Sequence, residues 1–262
     1  MKRAGRKGLG TAVVGALLLC LASCTGTDIG GSTTPTTTNA SATGIWGGTD
    51  SATGLSIIGY INSAGQAVFI RGDGVQFVGP TQVSGDTLVA AVVGYTDFGT
   101  TFNDGSTYGL GTLNGTVSTG TSLTLSLTFT TNGGTMQNSS WSLAFNSLSN
   151  AGSSLGTISA NYTDNASGSV VTIAADGVMT GQNPQNGCVL NGTVTVTNST
   201  YDVYQVTVTY ENCTGSYAAL NGVQLTGLAA VNKGTSPTQV TIGLAGASAT
   251  GKYAIVLNLV VG

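Results

Sequence analysis

Histidine is missing from this chain of 262 residues, and charge of either sign is scarce: seven Lys and Arg face ten Asp and Glu. Without imidazole there is no Ser-His-Asp or Cys-His relay, and the commonest metal ligand is gone. Glu211 is the only glutamate. The cations are too few and too scattered to neutralise a run of phosphates, so no nucleic-acid partner is expected. Nor is there an apolar run of the roughly 20 residues that a membrane-crossing helix needs.

What fills the chain is Gly, Ser, Thr and Asn, interleaved with Val, Ile, Leu and Ala at alternating positions. A polar, uncharged composition can accompany disorder, but period-two alternation marks half-buried strands. The expected fold class is all-β: two antiparallel meander lobes, small β-barrels or sandwiches, after a signal peptide and a flexible linker.

The N-terminus reads as an export signal. Lys2, Arg3, Arg6 and Lys7 precede an apolar run, Thr11 to Cys24, of the length of a signal-peptide core. The closing Leu21-Ala22-Ser23-Cys24 resembles the lipobox of bacterial lipoproteins at every position. That resemblance implies cleavage before Cys24 and acylation of its sulfur and new amino group, which would fix the chain to a membrane through about two acyl chains. Cys20 follows the bulky Leu19 and leaves with the signal. Thr25 after the cysteine resembles the pattern sent to the Gram-negative outer membrane, so the expected location is the bacterial cell envelope, lipid-anchored at the outer membrane. An ordinary signal peptide with an accidental cysteine is the alternative. Removing residues 1–23 leaves three cations against ten anions, a net charge of −7.

Residues 24–43 lack periodicity and read as a linker, with an r.m.s. reach of roughly 24 Å. Residues 44–150 and 151–262 read as an N-terminal and a C-terminal β lobe. Gly44-Ile45-Trp46 resembles the opening of lipocalin- and avidin-like barrels, although a Trp buried for packing explains it equally. In the first lobe strands are expected at 55–62, 67–71, 75–79, 87–95, 109–118, 123–131 and 137–146. In the second they are expected at 155–163, 169–175, 177–182, 188–198, 203–213, 223–233, 239–247 and 253–261.

One hairpin can be registered. Leu123, Leu125, Leu127 and Phe129 share odd parity with Trp141, Leu143 and Phe145, and facing residues share a side of the sheet. A three-residue loop, Asn132-Gly133-Gly134, places Leu125 opposite Trp141 and Leu123 opposite Leu143.

Two echoes suggest duplication. Thr49-Asp50-Ser51-Ala52-Thr53-Gly54 returns as Thr163-Asp164-Asn165-Ala166-Ser167-Gly168, and Leu113-Asn114-Gly115-Thr116-Val117 as Leu190-Asn191-Gly192-Thr193-Val194. Cys188 and Cys213, the two thiols left outside the cytoplasm, should form a disulfide. Parity places Cys188 inward and Cys213 outward, so a bulge or a lapse of alternation is expected beside one of them. The last strand, Tyr253 to Val261, is apolar on both faces; a transmembrane barrel strand or packing between lobes would explain that.

The segment Gly187-Cys188 to Asn191-Gly192, then Val203-Tyr204 and the closing cysteine, resembles uncharacterised β-rich outer-membrane lipoproteins. The resemblance covers about 80 residues and implies a lipocalin-like or transferrin-binding-protein-like barrel without known activity. The charged loops of a transferrin receptor are absent.

Candidate chemistry is thin. Arg71-Gly72-Asp73 spells an integrin-recognition tripeptide at a turn. Asp97, Asn103 and Asp104 share a loop but match no calcium-loop spacing. Asp86, Asp164, Asp176 and Asp202 read as turn residues. Three functions follow: a non-catalytic, lipid-anchored binding or structural module of unknown ligand, for which a small apolar ligand or an envelope protein is the candidate partner; a carrier of a small apolar ligand lined by Trp46, Phe69, Phe77 and Trp141; and a hydrolase built on paired aspartates. A surface adhesin is a variant of the first. No cofactor or metal is implied, and no enzyme is expected.

Overall fold

A computed structural model describes residues 38–249 and 251–262. Cys24 and the export signal lie outside the described residues. Two closed antiparallel barrels of eight strands follow one another along the chain. The first comprises β1 (Gly44–Asp50), β2 (Ser56–Ile61), β3 (Gln66–Arg71), β4 (Gln76–Ser84), β5 (Thr87–Tyr95), β6 (Tyr108–Ser118), β7 (Ser122–Thr131) and β8 (Met136–Phe145). The second comprises β9 (Ala160–Asp164), β10 (Val170–Ile173), β11 (Val178–Gln182), β12 (Val189–Val196), β13 (Tyr204–Glu211), β14 (Gln224–Asn232), β15 (Gln239–Ser248) and β16 (Gly251–Val261). β1 closes on β8, and β9 on β16.

Alternation produces this directly. On β7 the burial pattern runs exposed–buried for eight residues from Ser122, with Leu123, Leu125, Leu127 and Phe129 inward and Thr124, Ser126 and Thr128 outward. The registered hairpin holds: Leu125 faces Trp141 and Leu123 faces Leu143. Gly134, at φ 92°, supplies the left-handed step that closes its loop. Each fully buried Leu or Phe of such a face contributes about 1.5–3 kcal/mol. The outward faces of β6 and β7 are mainly Thr, Ser and Asn rather than the apolar band of a lipid-facing barrel.

One expected strand starts late. Leu155–Ile158 is a helical turn, not the first half of a strand, because Ser154 Oγ accepts the Thr157 N–H and caps it. That turn sends both Leu155 and Ile158 towards the second core. Order also begins before residue 44: Ala40 N–H donates to Gly85 O, and Trp46 Nε1 donates to Ala42 O at 2.8 Å.

The first echo occupies equivalent hairpins. Gly54 N–H donates to Asp50 O and Gly168 N–H to Asp164 O, both at 2.8 Å, and the two glycines have φ of 71° and 68°. The second echo does not: Leu113–Val117 lies on β6, the sixth strand of its barrel, whereas Leu190–Val194 lies on β12, the fourth. Low complexity alone accounts for it.

The barrels pack wall to wall. Ile45, Tyr60, Val68 and Ile70 of the first meet Val203, Leu228 and Ala230 of the second. These strands are therefore apolar on both faces. β16 is too, because Ala254 packs with Tyr95 of β5, and Val256 lies against the shared cluster.

Candidate functional site

The four aromatic residues expected to line a ligand cavity are all 0% exposed, and three of them touch one another. Phe69 and Phe77 lie 5.4 and 5.2 Å from Trp141, and Phe77 lies 5.5 Å from Phe129, centroid to centroid. Trp46 meets Phe145 edge-on at 5.3 Å. These rings fill the first bore themselves. Trp141 Nε1 is buried among them without a hydrogen-bond partner.

Arg71 of the Arg71-Gly72-Asp73 turn points inward. It is 7% exposed, forms a bidentate pair with Asp73 at 2.9 Å, and reaches Asp50 at 3.5 Å. The Asp97–Asn103–Asp104 loop does not gather its oxygens. Asp104 accepts from Thr131 Oγ1 and the Ser106 N–H, and the Thr131 hydroxyl holds its carboxyl well below the usual range. Among the described residues no cluster of three or more acidic or thiol side chains suits a metal.

Cys188 and Cys213 form a disulfide. The parity conflict is resolved at Asn212, which follows β13 and adopts φ 57°, the left-handed conformation that Asn tolerates. That single step turns Cys213 from the outer face to the inner one, where both cysteines are buried. Asn221 then holds Cys213 from both sides, accepting its N–H at 2.7 Å and donating to its carbonyl at 3.0 Å.

Cys188 of this disulfide lines a cleft of about 490 Å³ at the mouth of the second barrel. Its geometry follows from a mismatch of strand lengths. β16 pairs with β9 only at residues 259–261, so its earlier amides on that edge have no strand partner. Two carboxylates satisfy them: Val256 N–H donates to Asp97 Oδ1 at 3.1 Å and Asn258 N–H to Asp164 Oδ1 at 3.3 Å. Amides two residues apart on a strand point to the same side roughly 7 Å apart, so both carboxylates lie along one edge of β16. Asp97 arrives from the first barrel, on the loop after β5.

Burial pushes the Asp97 carboxyl up, and the charge of Asp164 adds to the effect. Burial, with the charges of Asp164 and Asp97 behind it, also raises the Tyr210 phenol. Among the described residues no Lys or Arg lines the cleft. Phe98, beside Asp97, stacks at 4.9 Å on Tyr217 and lies 5.9 Å from Tyr253, forming an aromatic wall. Asn183 Nδ2 donates to Ser169 Oγ, which contacts Ser167 Oγ, which in turn donates to Asp164.

No family model matches the chain, and no curated protein is detectably similar to it in sequence. The site is therefore read from its own chemistry.

Sequence reasoning assigned Asp164 to a turn and Asp97 to a different loop, and nothing in their spacing brings them together. One signal was available: the repeated Thr-Asp-x-Ala-Thr/Ser-Gly hairpin sets an aspartate at the rim of each barrel, and only the first copy is followed by an arginine at the next rim turn.

Proposed function

We propose that this chain is a non-catalytic binding module of the bacterial cell envelope, lipid-anchored through Cys24, with the cleft between Asp97 and Asp164 as its binding surface. The observation that carries this reading is that both bores are packed with their own side chains while an open cleft of carboxylates and aromatic rings stands at the mouth of the second barrel. Recognition groups at a rim and packing groups inside are the arrangement of a scaffold whose specificity lies at its loops. Carriage of an apolar ligand among Trp46, Phe69, Phe77 and Trp141 would require those rings to separate. Adhesion through Arg71 would require breaking its pair with Asp73.

A second reading is glycoside hydrolysis, favoured by two carboxylates that accept from amides two residues apart on one strand edge. Against it, Asp164 is 2% exposed and both its oxygens accept hydrogen bonds, from Asn258 and Ser167 among others.

Native mass spectrometry of the protein extracted from its own membrane tests the proposal. The expected species begins at an acylated Cys24 and carries a ligand or partner that is lost in an Asp97→Asn variant. An unacylated, unliganded chain would refute it.

A further inference from the structure

The geometry points to a ligand class for this cleft: a small organic cation whose ammonium or guanidinium group is held by the combined charge of Asp97 and Asp164, in the role that the Arg71 guanidinium plays beside Asp50. The inference rests on the binding-module reading and adds to it what is bound. Asp50 and Asp164 are equivalent by hairpin geometry, each nearly fully buried and each accepting backbone N–H groups two and three residues on. In the first barrel Arg71, at the turn after β3, supplies the countercharge from inside the chain. The end of β11 is its counterpart: Gly181 faces Val171 there as Arg71 faces Ile57, so the position carries no side chain, and the turn beyond it brings in the neutral Asn183. Ser167 Oγ donates to Asp164, with Ser169 Oγ and the Asn183 amide behind it, and none of these neutral groups cancels its charge.

Among the described residues, the second mouth thus keeps the carboxylate, gains a second one from Asp97, and lacks the cation. Both mouths are open, with about 620 Å³ beside Arg71 and about 490 Å³ here, so what distinguishes the second is the Phe98–Tyr217 wall in place of the guanidinium. Aromatic faces attract cations within about 6 Å of the ring centroid, so wall and carboxylates favour the same charge. A neutral sugar would leave both carboxylates uncompensated. A bare calcium ion would need six to eight oxygens, more than two committed carboxylates provide. The volume suits a small molecule rather than a folded partner.

The test is calorimetric titration of the full-length chain in detergent with agmatine, which carries a guanidinium and an ammonium group, and with neutral 1,4-butanediol. Agmatine should bind one per chain and weaken as salt is added, while butanediol gives no saturation. Asp97→Asn and Asp164→Asn should each weaken agmatine about tenfold or more. Tyr217→Ala, at a half-buried position, should weaken it severalfold with the fold intact by circular dichroism. No saturation by agmatine, or equal binding by the wild type and the Asp97→Asn variant, overturns the inference. If native mass spectrometry still finds another ligand at the acylated chain, the binding-module reading survives and only the ligand class fails.

Discussion

Val256 N–H donates to Asp97 Oδ1 across 159 positions of sequence, so a loop of the first barrel completes an edge of the second. Asp97→Ala would leave that edge amide unpaired and remove a contact that joins the barrels. A loss of about 1–3 kcal/mol is expected, with faster hydrogen exchange at Val256. Asp97→Asn keeps an acceptor and should cost less. Equal exchange at Val256 in wild type and Asp97→Ala would contradict the role.

The disulfide closes a loop of 25 residues in sequence separation. In the chain-entropy model this constrains the unfolded chain by about 3.5 kcal/mol. Reduction, or a Cys188→Ser/Cys213→Ser variant, should lower the denaturation midpoint accordingly. Asn212→Val should cost about 1–2 kcal/mol by forcing a β-branched residue into a left-handed backbone. Asn212→Gly should be tolerated.

Asp202 is fully buried, its Oδ1 has no partner, and its Oδ2 accepts the Val231 N–H at 3.2 Å. Burial raises its pKa to about 6, offset in part by that N–H, by Lys233 and by Tyr204. The folded chain therefore holds a proton that the unfolded chain gives up at about 3.8. Stability should fall as pH rises from about 4 to 6 and stay reduced above that. Asp97, raised in the same direction, adds to this slope. At Asp50, burial raises the carboxyl, but the hydrogen bond from Ser139, those from the Ala52 and Thr53 N–H groups, and Arg71 together bring it below 3.8, so its contribution is lost as pH falls further. Asp202→Asn should flatten the slope between pH 4 and 6 and stabilise the neutral-pH protein by about 1–3 kcal/mol. Urea unfolding at several pH values measures both effects.

Gly243 on β15 faces the other barrel. A methyl added there would stand 2.7 Å from Val68 Cγ1 and 2.9 Å from Gln76 Oε1. Gly243→Val should loosen the packing between barrels at a cost of about 1–3 kcal/mol while each barrel keeps its strands. Small-angle scattering should then report a larger radius of gyration with an unchanged far-ultraviolet spectrum. Loss of strand signal instead would contradict a role confined to the interface.

The strands were legible because period two is written in the side chains themselves: Leu123 to Phe129 and Trp141 to Phe145 gave their register by parity alone. The cysteine pair was legible for the same reason, since an inward and an outward cysteine can join only where alternation lapses, at Asn212. The turn at Leu155–Ile158 was missed because Leu155 and Ile158 fit a short strand as readily as one helical turn, and the Ser154 cap decides between them. The partnership of the barrels was hidden. Alternation says which residues face outward, not which outward residues meet, so the apolar outer faces of β2, β3 and β16 had several explanations. Asp97 and Asp164 meet only through that packing.

The first bore is closed by its own rings, so if recognition falls to the mouth of the second barrel, as proposed, a ligand should leave that bore undisturbed. The chain has two tryptophans, so an amide correlation spectrum contains two indole signals that report on the first bore. On titration with agmatine, shifts should cluster at Val256, Asn258, Ser167 and Tyr217 while the Trp46 and Trp141 indole signals stay fixed. Movement of the indole signals with the cleft amides unchanged would contradict the account.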